Sequence, residues 1–197
     1  MKIIITLLFA IVILSIMSFK IFNKTERQKF ELIESREGFE IRFYPKAIMA
    51  TVNSSSPDYM DESNSNFRRL ANYIFGGNKA SNKIAMTAPV HMNKTKEGSS
   101  MSFVMPSEYS MEKLPEPSDK SVQLHYSEEG YYAAIKFGGY ANSRVILKKE
   151  LELKEYLQKE NIEFLGEFSY LGYNAPWDFV NRENEILVKI NYKEKVK

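Results

Sequence analysis

Few residues of this chain stand in arrangements that could attack a substrate, shuttle a proton or hold a metal. There is no cysteine, which removes a thiolate nucleophile, a disulfide framework and any Cys-based zinc site. Hydrolysis through serine needs a hydroxyl on a strained turn beside a histidine base, and no Gly-x-Ser-x-Gly occurs. The two histidines, His91 and His125, fall in predicted strands, and neither has a His or carboxylate at metal-site spacing. Gly76-Gly77 and Gly138-Gly139 could offer backbone amides to an anion. Yet the first pair ends a predicted helix and neither sits in a P-loop or Gly-x-Gly-x-x-Gly frame, so turn geometry accounts for them. Glu128-Glu129 precede Gly130, and adjacent carboxylates on a strand face opposite sides, which fits a solvated turn better than acid/base work. No catalytic residue and no metal ligand set is assigned.

Binding is what remains. Met49, Met60, Met86, Met92, Met101, Met105 and Met111, with aromatics at 13% of the chain, could line a pliable apolar groove, though methionine fills cores as readily. Lys and Arg number 27 against 25 Asp and Glu, and the net charge of +2 gives no electrostatic case for a nucleic acid partner.

The elements that must position these residues read as α+β. Phe30 to Ile33 and Phe39 to Phe43 form a hairpin around Gly38, and Ala47 to Val52 is a further strand. Ser54-Ser55-Ser56-Pro57-Asp58 marks a helix start, and Tyr59, Phe67, Leu70, Ala71, Ile74 and Phe75 recur at helical spacing until Gly76-Gly77. Ile84 to Met92 is predicted as a strand bent at Pro89, followed by Met101 to Met105 and a proline-marked loop, Pro106 to Pro117. The second half repeats the grammar: strands at Val122 to Tyr126 and Tyr131 to Phe137, a helix from Asn142 to Lys159, then strands at Glu163 to Tyr173 and Ile186 to Tyr192. In the second helix Leu147, Leu151, Tyr156 and Leu157 stand against Lys148, Lys149, Glu152 and Lys154, predicting one apolar face. Ala88-Pro89 and Ala175-Pro176 occupy similar places in the two halves and suggest an internal duplication of β-α-β-β units.

Ahead of all this, Ile3 to Phe19 carries no charge, and Ile21 and Phe22 extend the run past Lys20. About 20 residues at 1.5 Å each span the hydrocarbon layer. The segment is read as an uncleaved single-pass membrane anchor, with a cleaved signal peptide as its rival; no small-x-small site follows the run. Lys20, Lys24, Arg27 and Lys29 after the segment place the domain in the cytoplasm by the positive-inside rule, whereas signal-anchor logic exports it. The sequence leaves the side open. The expected division is 1–23 anchor or uncleaved signal sequence, 24–29 linker, 30–193 one domain and 194–197 tail.

Specific strings narrow the reading. Phe39-Glu40-Ile41-Arg42-Phe43-Tyr44, Lys83 to Val90 (KIAMTAPV), Phe103-Val104-Met105-Pro106-Ser107, Phe137-Gly138-Gly139-Tyr140, Gly172-Tyr173-Asn174-Ala175-Pro176 and Asn181 to Glu185 (NRENE) resemble, in this order, the SOUL haem-binding protein family. The resemblance runs from about Phe30 to Tyr192. It implies a distorted β-barrel of two pseudo-symmetric βαββ-type halves with two main helices, and it implies haem or another tetrapyrrole as cofactor. In the family, binding has been placed at an apolar groove beside the first helix, with basic side chains meeting the propionates. One branch has a proposed axial His in an Ile-Arg-His-Tyr string. Here that string reads Ile41-Arg42-Phe43-Tyr44, and a phenyl ring cannot coordinate iron. The resemblance therefore implies another ligand, such as His91 or a Met, or contact without coordination. Arg69 falls about where another branch carries a propionate-facing Lys. The candidate cofactor-binding positions are Arg69, His91, Met60, Tyr73 and Trp177.

The function expected is a non-enzymatic tetrapyrrole-binding protein tethered to a membrane. The alternatives are an interaction or scaffold protein on the same fold that has lost haem, with its protein partner unknown, and an enzyme acting on a tetrapyrrole or small amphipathic substrate.

Overall fold

Period-two alternation of apolar and polar residues recurs along the chain after Phe30, and strands of that kind must find partners to satisfy their backbone groups. The computed structural model describes residues 25–56, 62–175, 178 and 180–193. The anchor assigned to residues 1–23, Met60, Trp177 and the tail 194–197 lie outside the described residues. Among the described residues, no helix is long and apolar enough to cross a membrane.

Among the described residues, eleven strands and two helices follow one another as β1 (Glu26–Arg27), β2 (Glu31–Ser35), β3 (Glu40–Tyr44), β4 (Ile48–Ser54), α1 (Ser63–Ile74), β5 (Thr87–Ala88), β6 (Val90–Thr95), β7 (Gly98–Val104), β8 (Val122–Tyr126), β9 (Gly130–Gly138), α2 (Ser143–Lys159), β10 (Phe164–Gly172) and β11 (Glu183–Ile190). Nine strands form one sheet in the order β2-β3-β9-β11-β10-β6-β7-β4-β8, with every neighbouring pair antiparallel. β2 and β8 are its free edges, so the expected barrel is corrected to an open sheet. β1 and β5 pair separately and in parallel.

The strand order contains a twofold relation. Matching β3, β4, α1, β6, β7 to β8, β9, α2, β10, β11 in chain order reproduces the sheet about the central β6·β10 pair. Each half lends its first strand to the other: β3 pairs with β9, and β8 with β4. The duplication is thus real in topology, but the Ala-Pro dipeptides do not mark it. Ala88-Pro89 leads into β6, whereas Ala175 comes after β10, the strand equivalent to β6. Proline has no N–H for a ladder, so Pro89 also divides the single predicted strand Ile84 to Met92 into β5 and β6.

Both helices pack on one face of the sheet. α1 buries Leu70, Tyr73 and Ile74 against Ile48, Ala50, Val52, Met101 and Phe103. α2 buries Ile146, Leu153 and Leu157 against Ile41, Ala133, Ile135, Ile186 and Val188. Met92, on β6, touches both clusters and joins them. The face predicted for α2 needs correcting, because Leu147 and Leu151 are each 51% exposed. The buried stripe is Ile146, Glu150, Leu153 and Leu157. Glu150 can take a core-facing position because Lys94 Nζ meets its carboxylate at 3.1 Å. Phe75, expected on the apolar face of α1, is exposed beyond its end. Gly38 closes the β2–β3 hairpin at φ +88°, and a Cβ there would lie 2.5 Å from the Tyr156 ring of α2.

Candidate functional site

The helix-free face of the sheet carries the residues with chemical potential. Alternation puts Arg42 and Tyr44 of β3, Tyr132 of β9, Glu185 and Leu187 of β11, Leu171 of β10 and His91 of β6 on that side, opposite the helix-facing Ile41, Ala133, Ile186 and Met92. Arg42 is fully buried and donates through Nη1 and Nη2 to the Glu185 oxygens, both at 2.8 Å. Its Nε donates to Glu40 at 2.8 Å, and Nη1 to the Tyr44 hydroxyl at 2.9 Å. Burial works against the Arg42 charge, but the bonds to Glu185 and the attraction of its neighbours outweigh it, and its pKa is raised. Tyr173 donates to Glu185 at 2.7 Å, and burial, then the charge of Glu185, pushes its pKa up. Burial also raises Tyr44 and Tyr132 to about 12. All three phenols are therefore neutral at physiological pH.

Residues 25–30 lie against this face. β1 pairs with β5, and Gln28 N donates to Ala88 O at 2.8 Å. Arg27 grips both Glu183 oxygens at 3.0 and 2.7 Å and lies over the Tyr173 ring at 4.9 Å. Phe30 stands 4.1 Å beneath the Arg42 guanidinium and 5.3 Å from the Tyr44 ring. Of the stretch 24–29 read from sequence as a linker, Glu26, Arg27 and Gln28 are thus held by partners. No sequence signal marked it, because its partners are supplied by strands far along the chain.

Two cavities flank Gln28, which among the described residues is the one that lines both. The first, about 390 Å³, lies among Lys29, Pro45, Ile48, Met105, Tyr109 and Tyr126. The second, about 470 Å³, opens over Tyr44, Tyr132, Leu165 and Leu187, with Lys94, Lys96 and Lys189 at its edge and His91 in its wall. His91 is buried, and that burial lowers its pKa to about 4, so the imidazole is neutral. Its Nε2 donates to Gln28 Oε1 at 2.7 Å.

The other sequence-marked positions fare differently. Arg69 is exposed on α1, with Asp119 feeling its charge. Tyr73 is buried beneath α1, and its hydroxyl donates to Pro115 O at 2.9 Å. Neither lines the two cavities, and neither meets His91. Phe43 lies edge-on to Tyr131 at 5.3 Å, and Tyr131 packs on Tyr192 at the same distance. The position of the family's proposed axial ligand is an aromatic stack in this chain.

His125 has a partnership that sequence spacing did not reveal. Its Nε2 lies 2.8 Å from Thr51 Oγ1, which is 2.7 Å from Ser102 Oγ, and its Nδ1 donates to Tyr126 O at 3.0 Å. The order resembles a hydroxyl, a base and an orienting group. Thr51 is buried, however, and its hydroxyl is shared between two partners, so the arrangement ties β7, β4 and β8 together. Among the described residues, no group of three or more His, Cys, Asp or Glu could hold a metal ion.

The site is thus a duplicated antiparallel sheet with helices on one face and, on the other, a cavity lined by Tyr44, Tyr132 and both basic and acidic side chains. The family model described as SOUL heme-binding protein matches residues 25–189, and the chain belongs to that family. It is similar to Heme-binding protein 2 of Homo sapiens, 29% identical over 157 residues that cover 75% of this chain and 76% of the relative. It is also similar to Heme-binding protein 1 of Xenopus laevis, 25% identical over 155 residues covering 75% and 81%. A solved structure of a hydrolase from Listeria innocua superposes with a TM-score of 0.57 at 11% identity, covering 88% of this chain and 97% of that one. That likeness concerns the fold alone.

Proposed function

We propose that this chain is a non-enzymatic tetrapyrrole-binding protein and that the cavity over His91 holds the ligand. The observation that carries the reading is that cavity. Its volume of about 470 Å³ falls in the range of small-molecule pockets, roughly 300–1,000 Å³. Tyr132 and Leu165 offer apolar and aromatic surface and Lys96 offers a cation to a carboxylate, while Lys94 and Lys189 at the same rim are paired with Glu150 and Glu128. His91, the imidazole in the cavity wall, has Nε2 bonded to Gln28, so the reading rests on contact with the macrocycle and not on a ready iron ligand. Family membership, and the names of the relatives, support the ligand class. The apolar run Ile3 to Phe22 supports a membrane tether, which would keep the binder where such a ligand partitions.

Titrating the full chain in detergent micelles with haemin and with protoporphyrin tests the reading. We expect saturable Soret shifts that weaken by about tenfold or more when Lys96→Glu is combined with Tyr132→Ala, since aromatic and charged contacts of this kind each contribute about 1 kcal/mol. No saturable shift with either ligand overturns it. In that case a second reading, a scaffold that keeps the fold without its ligand, takes its place. Phe43, packed on Tyr131 where one branch of the family has its proposed His, favours that alternative.

A further inference from the structure

We infer that the corner of the domain where the chain enters is a membrane-docking surface, on which Tyr140, Arg144, Leu147, Lys148 and Val180 meet an anionic lipid surface. The inference rests on the reading of Ile3 to Phe22 as a membrane tether, and not on which ligand the domain binds. Covalent reach comes first. Arg27 is bonded to both carboxylate oxygens of Glu183, the first residue of β11, and lies over the Tyr173 ring. Arg27 follows Phe22 by five residues, so at most about 18 Å of chain separates the end of the apolar run from this corner of the sheet.

Apolar side chains face outward there. Val180, in the loop before β11, is 75% exposed, and Tyr140, just before α2, is 59% exposed. The two segments are tied together, since Arg182 lies over the Tyr140 ring at 4.9 Å and Asn184 donates to Gly139 O at 2.9 Å. Asn142 caps α2 by accepting from Val145 N, so the first turns of the helix leave from the same place. On those turns the exposed Leu147 stands beside Arg144 and Lys148. Neither cation has an ion-pair partner among the described residues.

Charge identifies the occupant. The exposed stripe of α2 runs from Arg144 and Lys148 to Glu152 and Glu155, basic beside the chain entry and acidic away from it. The acids at the corner itself are engaged: Glu183 holds Arg27, and Asp178 accepts from Ala175 N at 3.2 Å. A tyrosine, unpaired cations and aliphatic side chains suit the headgroup boundary of an anionic bilayer. The acidic end of α2 is repelled by the same surface, so the helix stands with its N-terminus towards the lipid rather than lying flat.

The test uses the full chain in phosphatidylcholine vesicles, with and without phosphatidylserine. The chain has no cysteine, so Leu147→Cys, Val180→Cys and Gln158→Cys, the last exposed near the far end of α2, each place a single fluorescent label. Quenching by nitroxide-headgroup lipid then reports contact. With phosphatidylserine present, the labels at 147 and 180 should be quenched while that at 158 stays in water. Adding Arg144→Glu and Lys148→Glu should lower the ratio of lipid-contacting to water-facing label about tenfold or more, each cation near an anionic surface contributing about fivefold.

Labels that respond alike at all three positions, or quenching at 158 without quenching at 180, overturn the inference. Protection of the labels at 147 and 180 that persists in lipid-free detergent micelles marks a second copy of the chain on this face and overturns it too. A carbonate wash separates the two failures. A chain that stays with the vesicles while its labels face water overturns the docking surface alone, whereas a chain that washes off overturns the tether and the docking surface with it.

Discussion

His91 keeps its neutral form because burial strips the imidazolium of water and the neighbouring amide supplies a neutral acceptor instead. Its folded pKa of about 4 lies below the ordinary 6.5. The unfolded chain therefore takes up a proton between those values that the folded chain refuses, and stability falls as pH drops from about 6.5 towards 4. The full effect approaches about 3 kcal/mol. Urea midpoints measured from pH 7.5 to 4.5 should fall more steeply for wild type than for His91→Gln, and parallel curves would refute the assignment. Arg42 and Glu185 pose a different problem, a charged pair taken wholly out of water. Replacing one member strands the other, so Arg42→Met or Glu185→Leu should cost about 3–5 kcal/mol, while the double substitution should recover much of the loss. A double-mutant cycle by chemical denaturation measures this, and simple additivity would show that the pair is not coupled.

Among the elements, α2 shows how periodicity misleads by one position. Leu147 and Leu151 share a helical face with charged neighbours, and that face points to solvent. The stripe that meets the sheet includes an acid, Glu150, made compatible by Lys94 from β6. Leu153→Ala should therefore lose about 2–5 kcal/mol of stability, whereas Leu151→Ala should change it by less than about 0.5 kcal/mol. Thermal melts of the two variants rank the faces directly, and equal losses would contradict the buried stripe. β11 offers the converse lesson. Its first residues, Glu183, Asn184 and Glu185, precede the strand predicted from Ile186, yet Asn184 and Glu185 are buried in it. Asn184 accepts from the Tyr170 hydroxyl at 2.7 Å and donates to Gly139 O at 2.9 Å, so the strand carries polar residues whose bonds are complete.

For the whole molecule, the exchange of first strands between the halves sets the cooperativity. β9 is flanked by β3 from the other half, and β4 by β8. A half folded alone would leave one of these strands unpaired over an exposed core face. Fragments 30–118 and 119–193 should each be unfolded in isolation and should regain sheet and helix signals in far-ultraviolet circular dichroism when refolded together. Cooperative unfolding by either fragment alone would mean that the halves are independent.

What the sequence determined by itself was whatever depends on neighbours along the chain. Alternation located most strands, helical spacing and Gly76-Gly77 located α1, and ordered strings such as Phe39 to Tyr44 pointed to the family that the match over 25–189 bears out. His91 could be named as a candidate because a lone imidazole in a strand is visible in one dimension. Its state could not. Gln28 lies 63 residues away in the chain, and only the docking of residues 25–30 brings its amide to Nε2. The same holds for Arg42 with Glu185, 143 residues apart, and for the open sheet, whose edges follow from which strands run out of partners. Pairing across such separations is set by how the two halves interlock, and no local pattern of residue types encodes that geometry.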